Sequence, residues 1–410
     1  MTATSGDHAG RTADSTPRPR LGVVLAGLCV TEIVSWGVLY YAFPILAPAI
    51  TADTGWSPTF TTAAFSASLV LSALIGIPVG RALDHRGPRA IMTAGSVLAV
   101  AAVCLIAFSP HPLVFFAGWL LAGIAMAGVL YQPAFAALSR WYGPRRLTAL
   151  TAVTLVAGLA STVFAPVAEA LGSQLSWRGV YLTLAALLAL VTIPIHAVVL
   201  RRPWPPDHHA DPHTTDRAYA ATIIRSRGFL ALAVGFTAAS VAMYAVVINL
   251  VPLLAHRGYP PATAAWALAL GGIGQVTGRL LYTPLVTRLN LGARTGVVFG
   301  LGTATTGALA VISGPAGLLL AIAAAAGFAR GISTLLQATA IPDRWGPRNC
   351  GRISAVLAAP VTLATALAPW IGVSIAALTG YPTMFACLAV IGALAAVLLT
   401  ATTPRAGSGT

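Results

Sequence analysis

The sequence predicts an all-α membrane protein of twelve transmembrane helices in two six-helix halves, and three observations carry that prediction. Of the 410 residues, 57% are hydrophobic and only 8% are Asp, Glu, Lys or Arg. Apolar stretches of about 18–25 residues, the length that crosses a hydrocarbon core, recur between short clusters of Arg, Gly and Pro. A polar segment over 201–228, rich in Pro, His, Asp and Arg, interrupts the series midway and reads as a cytoplasmic linker. Lipid offers no partner for backbone N–H and C=O, so only helices or closed barrels span it; runs this continuous, without two-residue alternation, specify helices.

The expected spans in chain order are 21–49, 58–80, 90–108, 113–138, 148–170 and 179–200, then 229–255, 262–285, 295–313, 316–341, 352–376 and 382–402. They divide the chain into a polar N-terminal tail (1–20), a first half (21–200), the linker, a second half (229–402) and a short C-terminal tail (403–410). All 24 basic residues are Arg, which gives a net charge of +14. With both termini cytoplasmic, 20 of them fall on inside segments, two (Arg178 and Arg257) on outside loops, and two (Arg279 and Arg330) within spans. This positive-inside pattern sets topology and makes nucleic acid unnecessary as a partner. The apolar run after residue 20 is too long for the core of a cleaved signal, so the first helix is expected to remain as an anchor. Arg, Ala, Gly and Pro without Lys fit a high-GC bacterial genome and a bacterial plasma membrane.

An internal repeat supports the division. At an offset of 204, Gly123, Ala125, Ala134, Ala136, Arg140 and Trp141 match Gly327, Ala329, Ala338, Ala340, Arg344 and Trp345. After a one-residue gap, Gly143-Pro144-Arg145 matches Gly346-Pro347-Arg348, and Ala165-Pro166 matches Ala368-Pro369. Duplicated six-helix units of parallel orientation are a transporter arrangement.

The loop after the second span contains Gly80, Asp84, Gly87 and Arg89, a Gly, an Asp four later, a Gly three later, then basic residues. In this position the motif resembles the signature of the major facilitator superfamily, which implies a gating turn: glycines permit a tight bend, and Asp84 can meet an Arg or a helix N-terminus. Three further segments, Trp36-Gly37-Val38-Leu39-Tyr40-Tyr41, Trp141-Tyr142-Gly143-Pro144-Arg145-Arg146 and Gly274-Gln275-Val276-Thr277-Gly278-Arg279, resemble the monocarboxylate-transporter and oxalate/formate-antiporter branch. The resemblance implies that Arg279 grips a substrate carboxylate. The chain also departs from that branch. Gln275 stands where monocarboxylate transporters usually place Asp, residues 353–376 hold no cation like that of the oxalate exchanger, and Thr151 replaces an expected Gly. The glycine-rich drug-antiporter signature is poorly met, since Ala165-Pro166 is followed by Val167-Ala168-Glu169.

Three charges lie deep in apolar spans, where each costs about 2.5–3.5 kcal/mol or more. Glu32 lies twelve residues beyond Arg20, roughly 18 Å along the helix. Helical spacing puts Ser35, Trp36, Leu39 and Phe43 on its face, a mixed stripe expected to form a cavity wall, and the carboxyl is the candidate proton carrier. Arg279 shares its face with Gln275 and Tyr282, and its planar fork suits a carboxylate. Arg330 begins a stripe with Ser333, Thr334 and Gln337 that is expected to face water, where the first half has Met126, Val129, Leu130 and Pro133. Tyr244 continues a weaker polar stripe of Thr237 and Ser240.

Two arginines against one carboxylate leave the core near +1, and an anion balances it. The expected function is therefore secondary active transport of a small organic anion, a monocarboxylate, by alternating access. Arg279, Arg330, Gln275, Tyr282, Tyr244, Gln337 and Trp36 are the candidate binding residues. Glu32 carries a coupled proton and pairs with Arg330 as the halves rock. The lipid bilayer is the surrounding partner, and a monomer suffices. An exporter of drugs or secondary metabolites is the nearest alternative, and a non-transporting membrane sensor a remote one. No catalytic constellation, cofactor or metal site is expected: Gly271, Gly274 and Gly278 read as helix packing, Cys29, Cys104, Cys350 and Cys387 as small core residues, and the Asp207 to His213 run lacks regular ligand spacing.

Overall fold

The computed structural model describes residues 20–204, 217–346 and 350–403. The Asp207 to His213 run, Arg348 and residues 404–410 lie outside the described residues. The described chain is helical, and its twelve membrane helices are α1 (Leu21–Thr54), α2 (Pro58–Arg86), α3 (Pro88–Ala107), α4 (112–142), α5 (146–172) and α6 (Trp177–Val199), followed by α7 (Arg227–His256), α8 (261–288), α9 (Leu291–Val311), α10 (Ala316–Thr339), α11 (Cys350–Thr379) and α12 (Tyr381–Ala401). Nine segments among the described residues are long and apolar enough to cross a membrane. One of them, Pro112–Gly172, contains both α4 and α5, and α8 and α9 complete the twelve. Inside the expected linker a short helix, Arg217–Ile224, precedes α7. Several helices run past their expected ends on the side of the termini, α2 to Arg86 and α4 to Tyr142, because helix geometry continues beyond the hydrocarbon.

Several helices are broken, and proline chemistry explains two of the breaks. Pro133 lacks an N–H and its ring crowds the carbonyl four residues back, so α4 stops at Val129, extends at Leu130 and restarts at Tyr131. Pro284 acts in the same way on α8, which pauses at Leu281 between Leu280 and Tyr282. In α1 a π-helical turn over Gly37–Tyr41 adds a residue to the helical period and rotates the remainder of the helix. Gly37 sits against the Phe164 ring of α5 at a spacing that leaves no room for a Cβ.

The repeated glycines have the same packing role in both halves. A Cβ on Gly123 would overlap the Ser68 carbonyl of α2, and one on Gly327 would overlap the Gly271 carbonyl of α8. Without a hydrophobic driving force between helices in lipid, such close backbone approach is what fixes α4 on α2 and α10 on α8. Phe43 and Phe65 stack at 4.5 Å and Trp119 meets both edge-on at 5.2 and 5.1 Å, which ties α1, α2 and α4 together. Across the halves, the Trp370 N–H donates to Ser66 Oγ (3.2 Å) and Thr162 Oγ1 donates to the Ala269 carbonyl (3.0 Å), both on the side away from the termini.

Candidate functional site

Between the halves lies a cavity of about 380 Å³. The broken helices supply much of its wall: Trp36 just before the π turn of α1 and Tyr40 and Tyr41 within it, Leu130, Tyr131 and Gln132 from the break in α4, and Ala157 and Gly158 from the pause in α5. The second half contributes Tyr244, Gln275, Arg279 and Arg330, with Thr362 and Thr365 from α11. Both charged lining residues are arginines, and no Asp or Glu among the described residues lines the cavity.

Each arginine is held by a neutral group. Arg330 is 5% exposed and donates from Nε and Nη2 to one atom, Gln275 Oε1, at 3.3 and 3.1 Å. A Cβ on Gly331 would overlap the Gln275 carbonyl, so that glycine lets α10 come close enough for the pair to form. Arg279 reaches into the other half, where its Nη1 donates to the Thr154 carbonyl at 2.7 Å. That carbonyl also accepts the Gly158 N–H at 3.0 Å, and a Cβ on Gly158 would stand 3.2 Å from Arg279 Nη1. The pause in α5 therefore lets the guanidinium cross. Tyr131 lies within electrostatic reach of both Arg279 and Glu32. A glutamine dipole and a carbonyl dipole orient these cations without neutralising them.

Glu32 is fully buried and does not line the cavity. Trp36 stands between, its Nε1 donating to Glu32 Oε2 at 3.1 Å, while Oε1 has no partner among the described residues. The expected cavity-wall face of α1 is thus corrected: Trp36 reaches the cavity, but Ser35, Leu39 and Phe43 are buried in helix packing, and beyond Trp36 the π turn changes the helix phase so that Tyr40 and Tyr41 line the wall instead of Leu39 and Phe43. Glu32 and Arg330 are likewise not paired in this conformation, as each has taken another partner.

The other candidate residues divide between the cavity and its surroundings. Gln275, Arg279, Arg330, Tyr244 and Trp36 come together in the cavity wall. Tyr282 and Gln337 do not. The break at Leu281 re-phases Tyr282, whose hydroxyl pairs with Thr339 Oγ1 at 2.9 Å. The water-facing stripe on α10 reduces to Arg330, because Ser333 and Thr334 donate back to the Arg330 and Gly331 carbonyls, both at 2.8 Å. Thr237 on α7 does the same toward Ala233. At the end carrying the termini, Asp84 pairs with Arg140 at 2.7 Å, and Arg140 lies over the Trp204 ring at 4.5 Å. Trp204 in turn donates to the Asp84 carbonyl at 3.0 Å and packs on Gly87, whose φ of 73° favours glycine. Arg89 Nε donates to the Ala197 carbonyl at 2.9 Å, and Gly80 borders open space.

Sequence reasoning missed Tyr40, Tyr41, Tyr131, Gln132, Ser72, Thr362 and Thr365 as lining residues. A signal existed for one pair: Tyr131-Gln132 are adjacent polar-tipped residues before a proline inside an apolar span.

A sequence model described as Major Facilitator Superfamily matches residues 28–260 and 230–410. The chain belongs to the major facilitator superfamily. That makes it a transporter and not an enzyme. Among curated major facilitator relatives, it is 30% identical to monocarboxylate transporter 11 of Homo sapiens over 75% of this chain and 67% of that protein. It is 28% identical to monocarboxylate transporter 13 of Bos taurus over 66% of this chain and 63% of that protein. The chain thus spans about two thirds of the length of these relatives. Among solved structures, a bacterial homologue of the human lysosomal transporter Spinster, inward-facing and unoccupied, superposes with a TM-score of 0.75 at 15% identity, covering 94% of this chain and 98% of that one. The nucleoside transporter NupG gives 0.74 at 12% identity, covering 93% and 100%. At these identities the structures show the fold alone.

Proposed function

We propose that the chain is a secondary active carrier of a small organic anion, a monocarboxylate, working by alternating access in a bacterial plasma membrane with both termini cytoplasmic. The observation that carries this reading is the charge of the cavity: among the described residues two guanidiniums line it and no carboxylate does. A guanidinium held only by dipoles keeps its attraction for an anion, and the planar fork matches a carboxylate. The relatives named monocarboxylate transporter support the same class of substrate. A cationic drug meets repulsion here, which disfavours the exporter reading.

A coupling route is part of this reading. Arg279 spends one N–H on the Thr154 carbonyl of the opposite half. A carboxylate competing for that N–H loosens α5 from α8, so binding and rearrangement of the halves are linked. Glu32 is the proton carrier in this reading, touching the cavity through the Trp36 indole. Uptake of carboxylates into proteoliposomes, with and without an imposed pH gradient, tests the proposal. Arg279→Ala is expected to abolish uptake of every anion the parent carries, and unchanged uptake removes the assigned site.

A further inference from the structure

Cations and rings are unevenly divided between the halves of the cavity. Both cations come from α8 and α10 in the second half. Facing them, the first half contributes Trp36, Tyr40, Tyr41 and Tyr131, and Tyr244 of α7 adds a fifth ring. The rings are already assembled: Trp36 meets Tyr131 at 5.0 Å and 45°, and Tyr40 at 5.5 Å and 63°. Tyr40 and Tyr41 are 4% and 9% exposed, Trp36, Tyr131 and Tyr244 are half-buried, and all five line the cavity.

An acid of two or three carbons satisfies the arginines and leaves this aromatic wall in water. Covering it releases that water at little ordering cost, because the rings are held in place beforehand. A cavity of about 380 Å³ also has the size of clefts that enclose larger organic ligands. We infer that the transported anion carries an aromatic ring: its carboxylate lies on Arg279 and Arg330 and its ring packs against Trp36 and Tyr131, as in arylacetates and aryl-2-oxo acids. This inference rests on the reading of the cavity as a carboxylate carrier and specifies the rest of the substrate. Offset or edge-to-face ring contacts favour aromatic over saturated groups of equal area.

The test is competition in proteoliposomes holding the full chain, with a labelled carboxylate that it carries. Phenylacetate and phenylpyruvate are compared with acetate and pyruvate, and with phenethylamine as a ring lacking the anion. Aryl acids are expected to compete at roughly tenfold lower concentration than the short acids, the size of one good aromatic contact. Trp36→Ala and Tyr131→Ala, checked for folding by gel filtration and thermal unfolding, should each bring that ratio toward one, while Trp36→Phe keeps it. Equal competition by short and aryl acids in the parent protein overturns the inference and leaves the anion carrier standing. Phenethylamine competing as well as phenylacetate, or no acid competing at all, overturns the carrier reading and this one with it.

Discussion

Replacing Gln275 by Glu isolates the electrostatics of the cavity. The two side chains have nearly the same shape, and Gln275 Oε1 already accepts from Arg330 Nε and Nη2 at 3.3 and 3.1 Å. A carboxylate there therefore fits the same geometry and forms an ion pair, cancelling one of the two positive charges. If the substrate carboxylate sits on the order of 6 Å away, the added repulsion at an effective dielectric constant of 20 is about 3 kcal/mol. Water entering the cavity reduces this, and a loss of about 1–3 kcal/mol corresponds to roughly 5- to 150-fold weaker binding. Isothermal titration of the purified protein with its anion measures the change. Gln275→Leu is the control, since it removes two hydrogen bonds to Arg330 without adding charge. Acidification should restore part of the Gln275→Glu affinity as the new carboxyl takes up a proton. An unchanged Kd in Gln275→Glu at neutral pH would show that Arg330 does not attract the substrate.

Three other substitutions test separate parts of the structure. Glu32→Gln keeps an acceptor for the Trp36 indole and removes the titratable group, so transport should lose its dependence on an imposed pH gradient while counterflow of the anion persists; full gradient dependence in the variant ends the proton role. Gly327→Ala places a methyl into the Gly271 carbonyl and is expected to cost at least about 1–3 kcal/mol in thermal unfolding, whereas Gly317→Ala in the same helix, with open space around it, should change little. Arg140→Ala removes the ion pair to Asp84 and the contact over Trp204 at a half-exposed site, and a loss of about 1 kcal/mol is expected; a loss several times larger would mean that this corner holds the half together.

Much of the architecture is legible because membranes impose it. Span length, charge-free composition and arginine placement all follow from the bilayer, and they specify the helices and the two halves. Helix phase is not imposed in this way. The expected face of Glu32 assumes 3.6 residues per turn, and the π turn over Gly37–Tyr41 breaks that assumption for Leu39 and Phe43, while Glu32 and Ser35, ahead of the turn, are taken up by helix packing. Tyr282 leaves its expected face for a similar reason, through a break at Leu281. Polar spacing on α10 is genuine, but a hydroxyl in a helix can satisfy itself, and Ser333 and Thr334 do so. Buried charges are the better guide to the site. Arg279 and Arg330 have no such local outlet, so a cavity is where a chain can keep them.

The repeat separates scaffold from site. Where the two halves agree, at Gly123 and Gly327, the residue sets the approach of one helix to another and any carrier of this fold needs it. Met126 of the first half stands at the repeat position of Arg330, and both line the cavity. Duplication thus gives matching helix packing, and divergence at one matched position gives an apolar wall facing a cationic one. The ring cluster of Trp36 and Tyr131 belongs to the apolar side, and through its indole N–H Trp36 is also the contact of Glu32. A ring pressed against that indole acts on the bond to the carboxyl behind it. In the proposed reading, the substrate's ring and the Glu32 carboxyl would communicate through this single side chain.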